Sequence, residues 1–367
     1  MNQDFILGKL AEIMAWETDQ ARKEFAWLRL MSQMKYDGYQ DFLAGARFVE
    51  SLADWLQQFA QEERATAYAF VRSSLVYVSA AEMNHLVELF YPETVVWWLQ
   101  QEVARRLQVP IWSVWACDES TSLFNRLRRQ SLFIELSDGA RIDVFRRANA
   151  GLISNEQTVT APRLNDEKLD ELLDDLRKDV NDPQARFAFV FLIDDFVGSG
   201  TTLLRKKEDG NWTGKLFRFW DDNKDRFKKY VEDDWSLCVH HYLATQRAIG
   251  STKERNVEIA TERADGNWFG NVQFSFGAEL PADLPVSRET HDAFLQLTDR
   301  YYDSSIENKH TRVAGTDAKL GFGQYALPLV LEHNTPNNSI ALLWADTQGD
   351  NNQHAMRPLF RRRQRHT

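Results

Sequence analysis

Residues 187–205 read FAFVFLIDDFVGSGTTLLR: an unbroken apolar run, two adjacent acids, a loop of glycine and hydroxyl residues, and a helix-like start. A strand buried on both faces of a parallel sheet shows no polar alternation, so residues 187–193 are predicted to be such a strand. Chemistry in parallel sheets collects beyond the carboxyl ends of the strands, where Asp194 and Asp195 stand. Amides at a helix N-terminus, with Gly198 and Gly200 allowing close approach and Ser199, Thr201 and Thr202 adding donors, suit a phosphate monoester. The two carboxylates are acceptors for a vicinal diol or indirect ligands of a magnesium ion. Together these features describe a ribose 5-phosphate site. A Walker-type loop would carry GxxxxGK[ST], and this loop has no lysine. A dinucleotide fingerprint fails too, since it needs GxGxxG with an acid roughly 20 residues later.

Outward from this motif the chain changes grammar once. Apolar residues from Phe5 to Leu107 recur at spacings of three and four, which predicts a helical domain over residues 1–107. Ser79 and Glu82 form a capping box, and Pro92 suits the first turn of a helix whose stripe is Val95, Val96, Leu99, Val103 and Leu107. The many aromatics here, among them Trp16, Trp27, Trp55, Trp97 and Trp98, are expected to pack a bundle, with a minority free to face a partner. Residues 108–345 alternate strands with helices, as α/β domains do. IWSVWAC (111–117) is predicted as the first strand and SLFIELSDGARIDVF as a hairpin about Asp138-Gly139. Residues 146–162 are expected to be a mobile loop, 166–180 a helix, and 236–245 and 257–260 strands. A helix over 287–303 leads to the apolar run 325–333. The expected fold class is therefore α/β: a parallel sheet flanked by helices, with an N-terminal all-α domain and a polar, basic tail over 346–367.

At residues 190–202 the sequence resembles the phosphoribosyltransferases of type I fold. Their signature of four apolar residues, two acids, two apolar residues and a glycine-hydroxyl loop is filled in register by VFLI, Asp194-Asp195, Phe196-Val197 and Gly198-Ser199-Gly200-Thr201-Thr202. Phe196 and Gly198 depart from it, the second by removing a hydroxyl donor. The resemblance implies phosphoribosyl pyrophosphate as ligand, with Asp194 and Asp195 on the ribose hydroxyls and its magnesium, and residues 198–202 on the 5-phosphate. By position it also implies that Asp118, Glu119, Ser120, Thr121 and Ser122 form the pyrophosphate loop, and that Arg141, Arg146 and Arg147 clamp pyrophosphate from a closing loop. Through ISNEQ (153–157), FLIDDFVGSGTT (191–202) and HNTPNNS (333–339), the wider chain is similar to phosphoribosyltransferase-like proteins of bacterial conflict and antiphage systems. That implies a defence effector or accessory subunit, with a protein or ribonucleoprotein partner from the same operon.

His333, Asn334, Thr335, Asn337 and Asn338 follow an apolar strand, and their amides suit recognition of a base or other acceptor as well as a plain turn. His240 and His241 alternate faces within a strand, so at most one meets a ligand. The net charge of -10 excludes a general affinity for nucleic acid or anionic membrane, leaving the basic end MRPLFRRRQRHT for nucleic-acid or acidic-partner contact. Cys117 and Cys238, the two cysteines, are expected to be reduced and buried. The N-terminus MNQDFILGKL lacks signal-peptide character, and no membrane span is legible, which together predict a cytoplasmic protein. Two functions fit: magnesium-dependent transfer of phosphoribosyl to an acceptor, or a ligand-sensing scaffold that keeps the pocket without turnover.

Overall fold

The apolar stretch forms an eleven-residue strand, Phe187–Val197, at the centre of a five-stranded parallel sheet. The computed structural model describes residues 3–160, 164–263, 266–307, 317–349 and 354–362. Within the unit Met83–Pro281 the sheet strands are β1 (Ser131–Glu135), β2 (Thr158–Thr160), β3 (Phe187–Val197), β4 (Val231–Thr245) and β5 (Val272–Leu280), in the spatial order β2-β1-β3-β4-β5. Every neighbouring pair is parallel. The order reverses between β1 and β3, the place where open α/β sheets bind their ligands.

Both faces of β3 are covered, which is why its sequence shows no alternation. On one face Phe191 stacks on Phe133 at 5.0 Å, and Phe90 meets Phe145, Phe191 and His240. On the other, Val190 and Leu192 pack with Leu169, Leu172, Leu173 and Leu176 of the helix Asp166–Asp179 and with Leu216 and Phe219 of the helix Lys215–Tyr230. The first of these helices is capped by Asn165, whose side chain accepts from the Lys168 amide at 2.8 Å.

Several expected elements fall elsewhere. Residues 111–117 are a short 3-10 turn and bends, because no sheet neighbour pairs with them; the first sheet strand comes one element later, at β1. The Asp138-Gly139 hairpin is absent: after β1 come a 3-10 turn and the helix Ile142–Ala148, so β1 pairs with β2 and β3 instead. Residues 146–160, expected to be a loop, hold the end of that helix, a Ser154/Gln157 capping box and β2; residues 161–163 lie outside the described residues. VEIA (257–260) belongs to the helix Gln246–Glu262, not to a strand. Pro92 lies within a π-helical stretch, Phe90–Val95, between the helices Ala80–Leu89 and Val96–Leu107. Its missing N–H removes a rung of the ladder where the π turn occurs. Cys238 is buried as expected, but Cys117 is exposed at the start of the helix Asp118–Arg129.

The second unit comprises Met1–Glu82 with Ala282–Thr367, so the compact units do not follow the boundaries expected at 107 and 345. Its N-terminal stretch is mainly helical, and the Ser79/Glu82 box is present, with the Ser79 amide donating to Glu82 Oε2 at 2.8 Å and the Glu82 amide to Ser79 Oγ at 3.3 Å. It also contributes a strand, Val76–Val78, that pairs in parallel with Leu329–Leu331. Trp55 is buried and donates its indole N–H to the Leu342 carbonyl at 2.7 Å. The basic end is not a free tail as far as Arg362: Phe360 is buried among Tyr36, Tyr39, Phe42, Phe48 and Tyr77. Arg361 pairs with Asp346 at 2.7 Å, and Arg362 lies 5.3 Å from the Trp344 ring centre. Arg363 and Arg365 lie outside the described residues. No helix among those residues is long and apolar enough to cross a membrane.

A Phe360→Ala chain is expected to lose about 3–5 kcal/mol of stability in urea unfolding, because a filled aromatic cluster is emptied. A silent substitution would contradict the packing of the C-terminal segment.

Candidate functional site

The site is assembled where β1 and β3 end. The Leu136 amide donates to the Ile193 carbonyl at 2.8 Å, so the segment after β1 continues alongside β3 and lays residues 136–141 against the two acids. Ser137 donates its hydroxyl to Asp194. Gly139 passes so close to Asp195 that a Cβ there would stand 2.5 Å from the Asp195 Oδ2. Any side chain at 139 would therefore have to push the Asp195 carboxyl aside. Arg141 follows at φ 50°, donates to Asn84 Oδ1 at 3.2 Å and is electrostatically coupled to Asp195.

Successive strand residues face opposite ways, so the two acids meet different surroundings. Asp194 is 3% exposed and is ion-paired with Lys215. Its register partner on β4 is His241, also buried. Burial, then the charge of Asp195, push the Asp194 carboxyl up to about 6, against the opposing pull of Lys215 and Ser137. His241 goes the other way, down to about 3, through burial and then the Lys215 charge. Asp195 is partly exposed and lies on the side of Tyr242, whose hydroxyl donates to the Ala140 carbonyl at 2.9 Å. His240 is a packed core histidine, stacked 4.1 Å from Phe90 with Nδ1 2.9 Å from Ser275 Oγ.

Residues 198–202 form a tight turn whose carbonyls are held by the scaffold. Thr245 Oγ1 donates to the Gly198 carbonyl at 2.7 Å, while Ser251 Oγ and Arg255 Nη1 reach the Ser199 carbonyl at 3.2 and 3.1 Å. The Leu203 and Leu204 amides close on the Gly200 carbonyl at 3.1 and 2.9 Å, and Ser199 Oγ lies 2.7 Å from Thr201 Oγ1. Thr202 is exposed. The helix expected to start here does not: residues 205–213 make a small antiparallel hairpin first, and the helix begins at Lys215. Its first amides nevertheless return to the turn, Lys215 N–H to Thr202 O at 2.9 Å and Leu216 N–H to Leu203 O at 3.0 Å.

Other expected site residues are placed differently. Asp118, Glu119, Ser120, Thr121 and Ser122 are the opening turns of a helix, not a loop after a core strand; Ser120 and Thr121 fold back on Cys117, at 3.1 Å each. The loop that occupies the position assigned to them is 136–141. Arg146 donates to Asn155 Oδ1 at 2.6 Å and lines a cleft of about 670 Å³ with Lys168 and Glu171, while Arg147 pairs with Asp143 at 2.8 Å. Of the three arginines, Arg141 is electrostatically coupled to Asp195. His333, Asn334, Thr335, Asn337 and Asn338 follow Leu329–Leu331 of the two-stranded sheet in the other unit, not a strand of the five-stranded one. Thr335 Oγ1 lies 3.0 Å from the Tyr39 hydroxyl, Asn338 donates to the Phe322 carbonyl at 2.9 Å, and the Asn337 carbonyl accepts the Phe322 amide at 2.6 Å. His333 Nδ1 is 3.2 Å from Glu332 Oε1, and the Asn334 amide donates to the Leu331 carbonyl at 3.0 Å.

The model of the family described as PRTase-CE matches residues 52–362. The chain belongs to the PRTase-CE family. It is thus a phosphoribosyltransferase-like protein, and its mixed α/β architecture with a parallel five-stranded sheet agrees with that assignment. No curated protein and no solved structure matches the chain. The magnesium that the family resemblance implies meets a donor set of limited fit. Asp194 already faces an ammonium, and among the described residues no group of three His, Cys, Asp or Glu could hold a metal ion.

Sequence reasoning missed Ser137, Gly139 and Lys215. The first two were hidden in a supposed hairpin turn; Lys215 carries no local signal, since only the intervening hairpin returns it to the acids.

The raised pKa of Asp194 fixes a sign. The folded chain holds this proton more tightly than the unfolded chain, so the stability contributed is full below about pH 4 and is lost as pH rises towards 6. His241, with its lowered pKa, acts oppositely, losing stability as pH falls from about 6.5. The stability of the wild type relative to Asp194→Asn is therefore expected to fall, on the order of 1–3 kcal/mol, between pH 4 and 6 in urea titrations. A difference independent of pH would contradict the buried, proton-retaining carboxyl.

Proposed function

We propose that this site binds a phosphorylated ribose, with phosphoribosyl pyrophosphate as the ligand that uses all of it. The observation that carries the proposal is convergence at the β1/β3 reversal: Ser137 on Asp194, Gly139 against Asp195, and the 198–202 turn following directly along β3. A binding crevice is expected at such a reversal, and the donors and acceptors there suit a sugar phosphate. In this proposal the ribose hydroxyls meet Asp195, with Asp194 behind it, and the 5-phosphate rests on residues 198–202. The pyrophosphate lies along 136–141 under Arg141, which would stabilise charge as the bond from C1 to pyrophosphate lengthens. Magnesium enters with the pyrophosphate as part of the substrate. An incoming nucleophile would take C1 and release pyrophosphate.

The same pocket without turnover would make the chain a ligand-sensing subunit. Occupation of Asp194 by Lys215 favours that second reading, since it leaves one acid less available to the diol. The exposed Trp97 and Trp112 offer surface to a protein or ribonucleoprotein partner. On the resemblance alone we place such a complex in bacterial antiphage defence.

Pyrophosphate release is the discriminating measurement. With phosphoribosyl pyrophosphate, magnesium and cell extract, the enzyme is expected to release pyrophosphate, and Asp194→Asn with Asp195→Asn to lower that release about 10²-fold or more. Ligand-dependent thermal stabilisation without release would support the sensor, and absence of both would overturn the site.

A further inference from the structure

Lys215 ties together three parts of the site. Its backbone N–H holds the Thr202 carbonyl of the phosphate turn, its ammonium pairs with Asp194, and Asp194 accepts from Ser137 of the loop after β1. The residue before it makes the placement possible: Gly214 has φ 125°, and a Cβ there would stand 2.3 Å from the Leu203 carbonyl oxygen. Among the described residues Asp194 is the one hydrogen-bond partner of Lys215 Nζ, and the ammonium has three donors. The Lys215 side chain is 22% exposed and that of Asp194 5%, so of the pair the lysine is the more accessible to solvent.

Its position along the helix points the same way. A lysine in the first turn opposes the positive end of the helix dipole, and the helix Lys215–Tyr230 has no acid in its first turn to offset it. Two sources of positive charge therefore meet beside the 198–202 turn, against the buried Asp194 carboxylate and its neighbour Asp195. A phosphate monoester brought next to that carboxylate would be repelled unless a cation stood between them. Phosphate sites commonly answer this with a divalent ion; here an ammonium already stands beside the carboxylate.

We propose that Lys215 is the built-in counter-cation of this site: it neutralises Asp194 and donates its remaining N–H groups to the ligand's 5-phosphate, so the phosphorylated ribose binds without a divalent metal. The proposal rests on the ribose-phosphate reading above. It makes Lys215 a binding residue that bridges the acid and the phosphate turn, and it confines the metal requirement to the pyrophosphate end.

Calorimetry on the full chain with ribose 5-phosphate, which lacks pyrophosphate, tests this. The wild type is expected to bind with affinities within about threefold of each other in EDTA and in magnesium, a smaller difference than one charge-assisted hydrogen bond makes. Lys215→Met should weaken binding about tenfold or more, as for loss of a charge-assisted hydrogen bond, and Lys215→Arg should retain most of it. Because Lys215→Met strands a buried carboxyl, the double variant Asp194→Asn with Lys215→Met is measured beside it, with melting curves for both. The double variant should fold and still bind weakly. Binding that requires magnesium, or a folded Lys215→Met or double variant that binds as the wild type does, overturns the counter-cation and leaves the ribose-phosphate site standing. No binding under either condition overturns both.

Discussion

A carboxyl group buried at the end of a central strand must be neutralised, by a proton or by a cation. At Asp194 both answers are present: burial holds its proton on into the mildly acidic range, and Lys215 supplies an ammonium. Much of the local architecture follows from that requirement. The hairpin after the 198–202 turn, the conformation of Gly214 and the start of the helix Lys215–Tyr230 together bring the ammonium back to the acid. From the other side, the segment after β1 hugs β3 closely enough for Ser137 to donate to the same carboxyl.

The sheet around this pair explains its place. Neighbouring parallel strands leave a crevice only where the order reverses, and β1 and β3 flank that reversal. Phe133, Phe191, Phe145 and Phe90 fill one face of the two strands and hold them in register, so the polar groups at their ends are positioned by an apolar layer beneath. The second unit is organised differently, around Trp55 and Phe360 and a two-stranded parallel sheet.

What was legible in the sequence was whatever rests on local pattern. The run 187–193 declared a doubly covered strand and Ser79 and Glu82 declared a cap, both of which have counterparts in the structure, and the acids at 194–195 are followed by a turn as the pattern of 194–202 suggested. Order in space was less legible. IWSVWAC has strand composition, yet it finds no pairing partner, so Asp118–Ser122 open a helix and the loop that follows the first sheet strand is 136–141. Asp138-Gly139 is a strong turn signal, but the turn leads into a helix, because β1 pairs in parallel on both sides. VEIA is β-branched enough to suggest a strand, and the helix Gln246–Glu262 overrides that propensity through packing on the sheet. The basic end shows the same limit: its arginines dominate its composition, while its buried Leu359 and Phe360 decide its structure.

A crystal structure with ribose 5-phosphate tests the central claim most directly. The account predicts the phosphate on residues 198–202 with Lys215 against it, and the ribose hydroxyls turned towards Asp195. Phosphate bound elsewhere, such as in the cleft lined by Arg146 and Lys168, with the Asp194–Lys215 pair untouched, would contradict it.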